Sequence, residues 1–456
     1  MKQVPGTDLY PNNHTTRTVV MTETNCFAYR ASILHLLDDP GIGFVPEPEH
    51  AEFIPDGLLV VQDGKVLRLG KTVDELAHLP TGCELVDLSG QLLIPGLIDT
   101  HIHYPQTDMI AAYGEQLLSW LETYTFPTER CFADPVHARE VADFFLEQLL
   151  RNGTTTALVF GTVHKASVEA FFEAAEARQL RMIAGKVLMD RNCPDYLRDT
   201  PESGYVESRE LIEKWQGRGR LSYAVTPRFA PTSSPEQLEK ARELLNAFPE
   251  VYLHTHVAEN LREVEWVREL FPDRRSYLDV YYHHGLLRPR SVLAHCIHLD
   301  HQDRTCIAET GTATAFCPTS NLFIGSGLFD FYANRDHGIR TGLGTDVGGG
   351  TSFSLLQTAS EAYKVTQMLG NKLPPAQALY LLTLGGARAL YLDRQIGNFA
   401  VGKEADFIAL RLDGTPLLAR RLQLCASIWE KLFVLMMLGD ERSIAGTYIL
   451  GRKVAV

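Results

Sequence analysis

The chain has 456 residues, of which 45% are hydrophobic and 22% charged, and these values are typical of a globular protein with one large and one small domain. The formal net charge of −13 argues against nucleic acid or an anionic membrane as a partner. The sequence contains no signal-peptide core, no apolar run long enough to cross a bilayer and no CxxC pair among its eight cysteines, so we expect a cytoplasmic protein.

Short β-rich segments are predicted near both ends of the chain. Residues 57–70 contain an Asp-Gly pair between two apolar runs, which is a strong β-hairpin signal. Residues 396–410 and 444–456 also show short β runs separated by glycine turns. We therefore predict a small composite β-sandwich domain formed by residues 1–92 and 394–456.

Eight apolar runs, each followed by a helical stretch, fill the middle of the chain. They occupy residues 92–103, 155–164, 181–190, 221–231, 251–259, 291–299, 312–320 and 340–350. Asp134-Pro135 and Asn152 mark the two ends of one helix, and residues 234–237 form a capping pattern at the start of another. This alternation predicts an α/β fold, a TIM-like parallel (β/α)₈ barrel over residues 93–393, with its functional groups at the C-terminal strand ends.

Residues that can bind a metal ion lie at the ends of these runs. His101 and His103 end the first run on one face of a strand. His256 ends the fifth run and Asp346 the eighth. These four ligands fit a catalytic zinc ion, with Fe²⁺ as the alternative. The fourth run ends in Arg228 and lacks the lysine that bridges the ions of two-metal barrels, so we expect one metal ion per chain.

Two further residues are predicted to act in catalysis. Glu259 follows His256 by three residues, and this position suits a general base that then serves as general acid. His295 ends the sixth run and is predicted to orient or polarise a metal-bound hydroxide, either as a loose ligand or through a hydrogen bond. The alternatives are a solvated Glu259 at a helix start and a structural His295 in the core.

Several segments resemble the amidohydrolase superfamily. They are GLIDTHIH (96–103), the later His256, His295 and Asp346, and VGKEADFIAL (401–410). Further segments are similar to the guanine deaminase branch of that superfamily: HYPQ (103–106), SWLETYTFPTE (119–129), GKVLMDRNCP (185–194), TPRFAPTSS (226–234), HVAEN (256–260) and GLGTDVGGG (342–350). The resemblance covers nearly the whole chain and implies that a homodimeric zinc enzyme hydrolyses guanine to xanthine and ammonia.

With guanine as the substrate, the remaining polar groups take definite roles. Asp346 is expected to accept a proton from water as well as to hold the metal, and His295 to steady the developing charge on the substrate. Arg228 is predicted to donate to the O6 and N7 side of the purine, and Gln106 to pair with an edge of mixed donors and acceptors. Phe229 is expected to stack on the ring or to wall it, with a core position as the alternative.

Two other interpretations are open at this point. The same fold could act on another heterocycle, such as 8-oxoguanine, a triazine or cytosine, although Arg228 with Gln106 favours an oxo-purine. A non-catalytic scaffold is the second alternative, and the full ligand set together with Glu259 argues against it.

Overall fold

The computed structural model describes residues 25–114 and 116–455 and contains two sheets. The strands are β1 (Cys26–Leu36), β2 (Ala51–Gln62), β3 (Lys65–Lys71), β4 (Glu84–Pro95), β5 (Leu97–His103), β6 (Thr154–Phe160), β7 (Arg181–Gly185), β8 (Val187–Leu188), β9 (Ser222–Pro227), β10 (Tyr252–Val257), β11 (Ser291–His295), β12 (Ala313–Phe316), β13 (Arg340–Leu343), β14 (Phe407–Arg411), β15 (Ile444–Ile449) and β16 (Arg452–Lys453). The α-helices are α1 (Thr72–Glu75), α2 (Leu117–Trp120), α3 (Phe126–Arg130), α4 (Pro135–Arg151), α5 (Lys165–Ala177), α6 (Pro201–Trp215), α7 (Pro235–Ala247), α8 (Leu261–Leu270), α9 (Tyr277–His283), α10 (His301–Thr310), α11 (Pro318–Phe323), α12 (Phe331–Asp336), α13 (Leu355–Met368), α14 (Pro375–Leu382), α15 (Leu384–Ala389), α16 (Pro416–Leu422) and α17 (Ile428–Leu438).

Both terminal parts of the chain contribute to the small β domain. Its strands lie in the order β16-β15-β14-β4-β1-β2-β3. The predicted hairpin is present as β2 and β3, which pair antiparallel around a turn with positive φ at Asp63 and Gly64. The small domain built from both ends is confirmed, while residues 1–24 of its predicted range lie outside the described residues.

The strands of the small domain form one hydrogen-bonded sheet of seven. Its two halves pack against each other, since Tyr29 of β1 contacts Phe407 of β14 and Tyr448 of β15. The register of β1 shifts against β2 between Ala31 and Ile33, and against β4 between Arg30 and Ser32. Bulges of this kind bend a strand and increase its twist. A long, bent β1 can therefore hold both halves of the domain within a single sheet.

The parallel barrel is confirmed, and each predicted apolar run contains one of its strands. Neighbouring strands follow the order β5-β6-β7-β9-β10-β11-β12-β13, and β8 continues β7 and also pairs with β9. Two hydrogen bonds join β13 to β5 and close the barrel. Thr100 Oγ1 donates to the Leu343 carbonyl oxygen at 3.0 Å, and the Asp346 N–H donates to the His101 carbonyl oxygen at 2.9 Å.

The helix starts follow the capping signals in the sequence. The Asp134 side chain accepts a hydrogen bond from the Val136 N–H at 2.9 Å at the start of α4, and that helix ends before Asn152. The Ser234 hydroxyl accepts from the Gln237 N–H at 3.1 Å at the start of α7. Both N-caps are confirmed, and such caps satisfy N–H groups that the first helical turn leaves free. The reciprocal bond of a full capping box is not formed at the start of α7, where the Gln237 side chain has no hydrogen-bond partner within the described residues. No helix in the described part of the chain is long and apolar enough to span a membrane.

The N-terminal end of the barrel interior is closed by apolar side chains. One buried cluster takes residues from seven of the barrel strands: Ile98, Leu158, Ile183, Ala224, Tyr252, Val292 and Ala313. Side chains from the segment after α15, including Leu390 and Ile396, complete this cluster. A cavity inside the barrel can therefore open only at the C-terminal end, where the polar residues are placed.

Candidate active site

The C-terminal ends of the barrel strands surround a cavity whose empty space, including the part open to solvent, is about 420 Å³. The predicted site residues that line it are His103, Gln106, Arg228, Phe229, His256, Glu259, His295 and Asp346. The remaining predicted residue, His101, is 0% exposed and lies against Asp346. The structure therefore brings all of the predicted site residues together.

The imidazoles and the Asp346 carboxylate form a compact group, called the donor set below: His101, His103, His256, His295 and Asp346. Two nitrogens, His101 Nε2 and His103 Nε2, lie 3.1 and 3.3 Å from Asp346 Oδ1. His103 Nε2 is also 3.2 Å from His256 Nε2. His101, His256 and His295 each place a nitrogen within 4.8 Å of the other two. The donor set thus offers imidazole nitrogens and a carboxylate oxygen to one point.

A buried atom without a well-directed hydrogen bond tests whether this set fits a metal ion. Within residues 25–114 and 116–455, His101 Nε2 makes no well-directed hydrogen bond, although Asp346 Oδ1 lies 3.1 Å away. The other ring nitrogen, Nδ1, lies 2.7 Å from His254 Nε2, which fixes the orientation of the ring. Buried polar atoms are almost always satisfied, and metal-bound imidazoles are held in this way from behind. The donor set therefore fits a metal ion.

Burial favours the protonation states that metal ligands need. Burial lowers the pKa of His103 to about 3 and the pKa of His256 well below its usual range. Burial alone would raise the pKa of the Asp346 carboxyl, but the neighbouring His101 and His103 lower it well below its usual range. Neutral imidazoles and an ionised carboxylate keep their lone pairs free for a cation.

Hydrogen bonds to the far ring nitrogens orient two more members of the donor set. His256 Nδ1 lies 2.7 Å from the backbone oxygen of Arg228, and His295 Nδ1 lies 2.8 Å from Asn321 Oδ1. Because Nδ1 is hydrogen-bonded in each ring, Nε2 faces the position where the atoms of the donor set converge. The backbone has positive φ at His295 (68°) and at Asp346 (51°), a conformation that costs about 1–3 kcal/mol for a non-glycine residue. Strain of this kind is concentrated at functional sites.

Cys317, which ends the seventh run, also lies near His101 and Asp346. Burial raises the pKa of the Cys317 thiol well above its usual range, so the sulfur stays protonated. A neutral thiol is a poor ligand compared with a thiolate. The histidines and Asp346 are therefore the better donors at this site.

Glu259 is a buried carboxyl beside the donor set. Its Oε2 lies 3.5 Å from His295 Nε2, and its Oε1 accepts a hydrogen bond from Ser326 Oγ at 2.8 Å. Its backbone N–H donates to Glu263 Oε2 at 2.9 Å. Burial, with a further contribution from the charge of Asp346, raises the pKa of Glu259 to about 8. The carboxyl is thus held in place and can exchange a proton close to neutral pH.

Arg228 and Gln106 form a polar wall of the cavity, and the buried Glu129 lies behind them. Arg228 Nη1 donates to both Glu129 carboxylate oxygens, at 2.9 and 2.8 Å. Gln106 Nε2 donates to Glu129 Oε1 at 3.2 Å. Phe229 lies on the apolar side, where it lines the cavity and packs in a buried cluster with Trp120. The wall and core alternatives for Phe229 are therefore compatible.

The sequence interpretation missed three residues of this site. His254 lies two residues before His256 on β10, and this repeat of the His-x-His spacing is a signal that could have identified it. Glu129 ends one of the segments quoted for the family resemblance, but no local pattern sets it apart from other glutamates. Ser326 lies in a loop between two glycines, and its contact with Glu259 has no sequence signal.

The fold and the site define a class of barrel hydrolases whose metal ligands lie at the C-terminal strand ends. Residues 92–454 match the model of the Amidohydrolase family, and the chain belongs to that family. It is 54% identical over 402 residues to the guanine deaminase of Escherichia coli (strain K12), covering 88% of this chain and 92% of that protein. The resemblance drawn from the sequence segments is confirmed.

Solved structures agree with this assignment. The structure of E. coli guanine deaminase matches with a TM-score of 0.90 at 51% identity, covering 94% of this chain and 99% of that chain. The structure of guanine deaminase from C. acetobutylicum, which has guanine bound in the active site, matches with a TM-score of 0.84 at 27% identity, covering 94% of this chain and 100% of that chain.

Proposed function

We propose that this protein is a guanine deaminase, which hydrolyses guanine to xanthine and ammonia. The observation that carries the proposal is the placement of a proton-transfer carboxyl, Glu259, and a polar wall, Arg228 with Gln106, on one cavity that also contains the donor set. The similar proteins named guanine deaminase, one of which has guanine bound in its active site, support guanine as the substrate.

His101, His103, His256 and Asp346 are proposed to hold one metal ion per chain, and His295 to stand beside it. Zinc is the proposed metal, with Fe²⁺ as the alternative, because the donors are imidazole nitrogens and a carboxylate oxygen. When bound, such an ion supplies Lewis acidity that lowers the pKa of water to near neutrality. The approach of His101 Nε2 to Asp346 Oδ1 at 3.1 Å without a well-directed hydrogen bond supports this assignment.

The protein groups then move protons and stabilise charge. Glu259 takes a proton from the attacking water and delivers it to ring N3 as the oxygen adds to C2 of guanine. Asp346 accepts the second proton of the water and passes it to the amino group, which leaves as ammonia as the C2 oxygen becomes a carbonyl. His295, whose Nε2 lies 3.5 Å from Glu259 Oε2 and 3.7 Å from Asp346 Oδ2, is placed to stabilise charge that develops at C2.

Recognition of the base is assigned to the polar wall. Arg228 donates to the O6 and N7 edge, Gln106 pairs with an edge that has both donors and acceptors, and Phe229 covers the apolar face of the ring. Adenine has an amino group in place of O6, so the Arg228 donor that pairs with O6 would face another donor. Sites built to hydrogen-bond a substrate group reject analogues that lack it by about 10⁴–10⁵-fold.

The test is turnover by the purified protein after its metal content has been measured. Guanine loss is followed by ultraviolet absorbance and ammonia by a coupled assay, with 8-oxoguanine, a triazine, cytosine and adenine as comparison substrates. We expect guanine to be preferred and adenine to be inert. A metal-loaded protein that leaves guanine unchanged would refute the proposal.

A cytoplasmic location, a homodimer and the domain boundaries given above are further proposals. All eight cysteines lie among the described residues and are free thiols, which supports a reducing compartment. The homodimer follows from the family resemblance, and light scattering during size-exclusion chromatography tests it.

A further inference from the structure

Glu129 is a buried carboxylate that the proposed reaction does not use. It is 0% exposed and lies on α3, directly after a π-helical turn at Leu121–Thr125. Turns of this type occur frequently at functional sites. An ionised carboxylate in the protein interior is strongly unfavourable unless charged and polar groups compensate it. The residues that donate hydrogen bonds to Glu129 therefore indicate its role.

Those partners are the two polar residues assigned to base recognition. One nitrogen of Arg228, Nη1, serves both carboxylate oxygens, at 2.9 and 2.8 Å. Gln106 Nε2 donates to Oε1 at 3.2 Å. Across residues 25–114 and 116–455, no other hydrogen bond to the Glu129 carboxylate is found. Glu129 thus joins two side chains that follow different barrel strands, β5 and β9, and line the same cavity.

The contact leaves most of the Arg228 guanidinium available. Its Nη2 and Nε atoms have no hydrogen-bond partner in the described part of the chain. The guanidinium carbon lies 5.5 Å from the centre of the Phe126 ring, which further restricts its position. Arg228 is therefore anchored through one nitrogen while its remaining donors stay free for a ligand.

Glu129 also changes the charge of the wall. An arginine alone would favour an anionic ligand, whereas the Arg228–Glu129 pair keeps the donors and carries no net charge. Guanine is neutral at physiological pH. Urate has nearly the same shape and is an anion at that pH, so the two compounds differ in the property that this pair would discriminate.

We propose that Glu129 is a positioning residue that orients Arg228 and Gln106 and makes this wall select neutral oxo-purines over purine anions. The inference rests on the proposed function, because it takes Arg228 and Gln106 as the residues that contact guanine. Glu129 itself does not line the cavity, so its role is exerted through Arg228 and Gln106.

The test is Glu129→Gln, which preserves the volume of the side chain and removes its charge. We expect the KM for guanine to rise by about 10–100-fold, the range expected when hydrogen bonds between charged groups are lost. The kcat should stay within about threefold, because Glu259 and the donor set are unchanged. The ratio of the urate inhibition constant to the guanine KM should fall at least about tenfold, a change that a loss of stability alone does not produce.

Two variants serve as controls. Glu404→Gln is the matched control. Glu404 also accepts hydrogen bonds from two arginines, Arg181 and Arg220, but it lies at the opposite end of the barrel. The substitution should lower the Tm without altering the guanine KM or the urate ratio. Glu129→Asp keeps the charge but withdraws the carboxylate, so it should raise the KM while still rejecting urate.

The proposal is overturned if Glu129→Gln has the wild-type KM and urate ratio, or if it only lowers the Tm as Glu404→Gln does. If Glu129→Gln does not fold, Glu129→Asp decides, and a wild-type KM in that variant overturns the proposal. If the metal-loaded wild type does not turn over guanine, the proposed function fails. Calorimetric binding of urate to wild type and Glu129→Gln still tests the charge effect in that case, and equal affinities overturn it.

Discussion

Replacing Glu259 by glutamine tests the assigned proton transfer most directly. Glutamine has the same length and can still accept the hydrogen bond that Ser326 Oγ donates to Oε1 at 2.8 Å, but it cannot carry the proton. The donor set stays complete, because Glu259 stands beside it, with Oε2 3.5 Å from His295 Nε2. The substitution therefore removes a chemical role and leaves the shape of the cavity.

The structure indicates a large effect. General acid–base groups contribute about 10²–10⁴-fold to the rate, which corresponds to about 2.7–5.5 kcal/mol. Glu259 is 3% exposed, so bulk water has little access to replace it as a proton carrier. Burial raises its pKa to about 8, so both protonation states are accessible near neutral pH. We expect kcat to fall by about 10³-fold or more with KM within about threefold.

The assay is guanine loss by ultraviolet absorbance, with elemental analysis of each preparation. Ser326→Ala is the milder companion variant. The Ser326 hydrogen bond lowers the pKa of Glu259, so its loss should raise that pKa and shift the pH profile of kcat to higher pH. Turnover by Glu259→Gln within tenfold of wild type, with metal intact, would refute the assigned role. Loss of the metal would instead make Glu259 a ligand or the support of one.

The remaining predictions concern the metal, the base and the charge on one lysine. His256→Ala, like chelator treatment of the wild type, should abolish both bound metal and turnover while most of the fold is retained. If the variant still contains about one zinc per chain and still turns over guanine, the ligand assignment is contradicted. Arg228→Met removes the charged partner of Glu129 and leaves it only the hydrogen bond from Gln106. The free energy of unfolding should fall by about 3–5 kcal/mol and kcat/KM for guanine by the equivalent of about 2–4 kcal/mol, measured by denaturant titration and kinetics. Burial lowers the pKa of Lys403 from 10.5 to about 8. Between these two pH values the folded state binds fewer protons than the unfolded state, so the free energy of unfolding should increase as pH rises. Lys403→Met should remove that gain, and equal pH slopes for variant and wild type would contradict it.

The barrel and most of its site were predictable because both depend on local patterns. Each barrel strand is a short apolar run between helices with readable caps, and parallel strands bring their C-terminal ends to one edge. His101, His103, His256 and Asp346 stand at such ends, so their convergence follows from topology. The small domain was predicted from short β runs at both ends of the chain, but the bulges in β1 that help to join its halves into one sheet have no comparable signal.

The missed residues depend on contacts between distant parts of the chain. Arg228 and Glu129 are separated by 99 residues, and Ser326 and Glu259 by 67. Neither contact follows from a helical or strand period, because each joins a loop or a short helix to a residue near the end of a barrel strand. Chemical roles that depend on such pairs emerge only when the chain is folded.

The position of β4 has a consequence for biosynthesis. This strand pairs with β14, with Pro95 opposite Phe407, so its neighbour is made about 300 residues later. At about 5–20 residues per second, that neighbour emerges roughly 15–60 s after β4. During this interval one edge of an apolar strand that contains Leu92 and Ile94 has no partner, and unpaired edges of this kind promote aggregation. Slower growth or lower temperature should therefore affect the yield of folded protein through the pairing of β4 with β14, and not through the active site of the barrel.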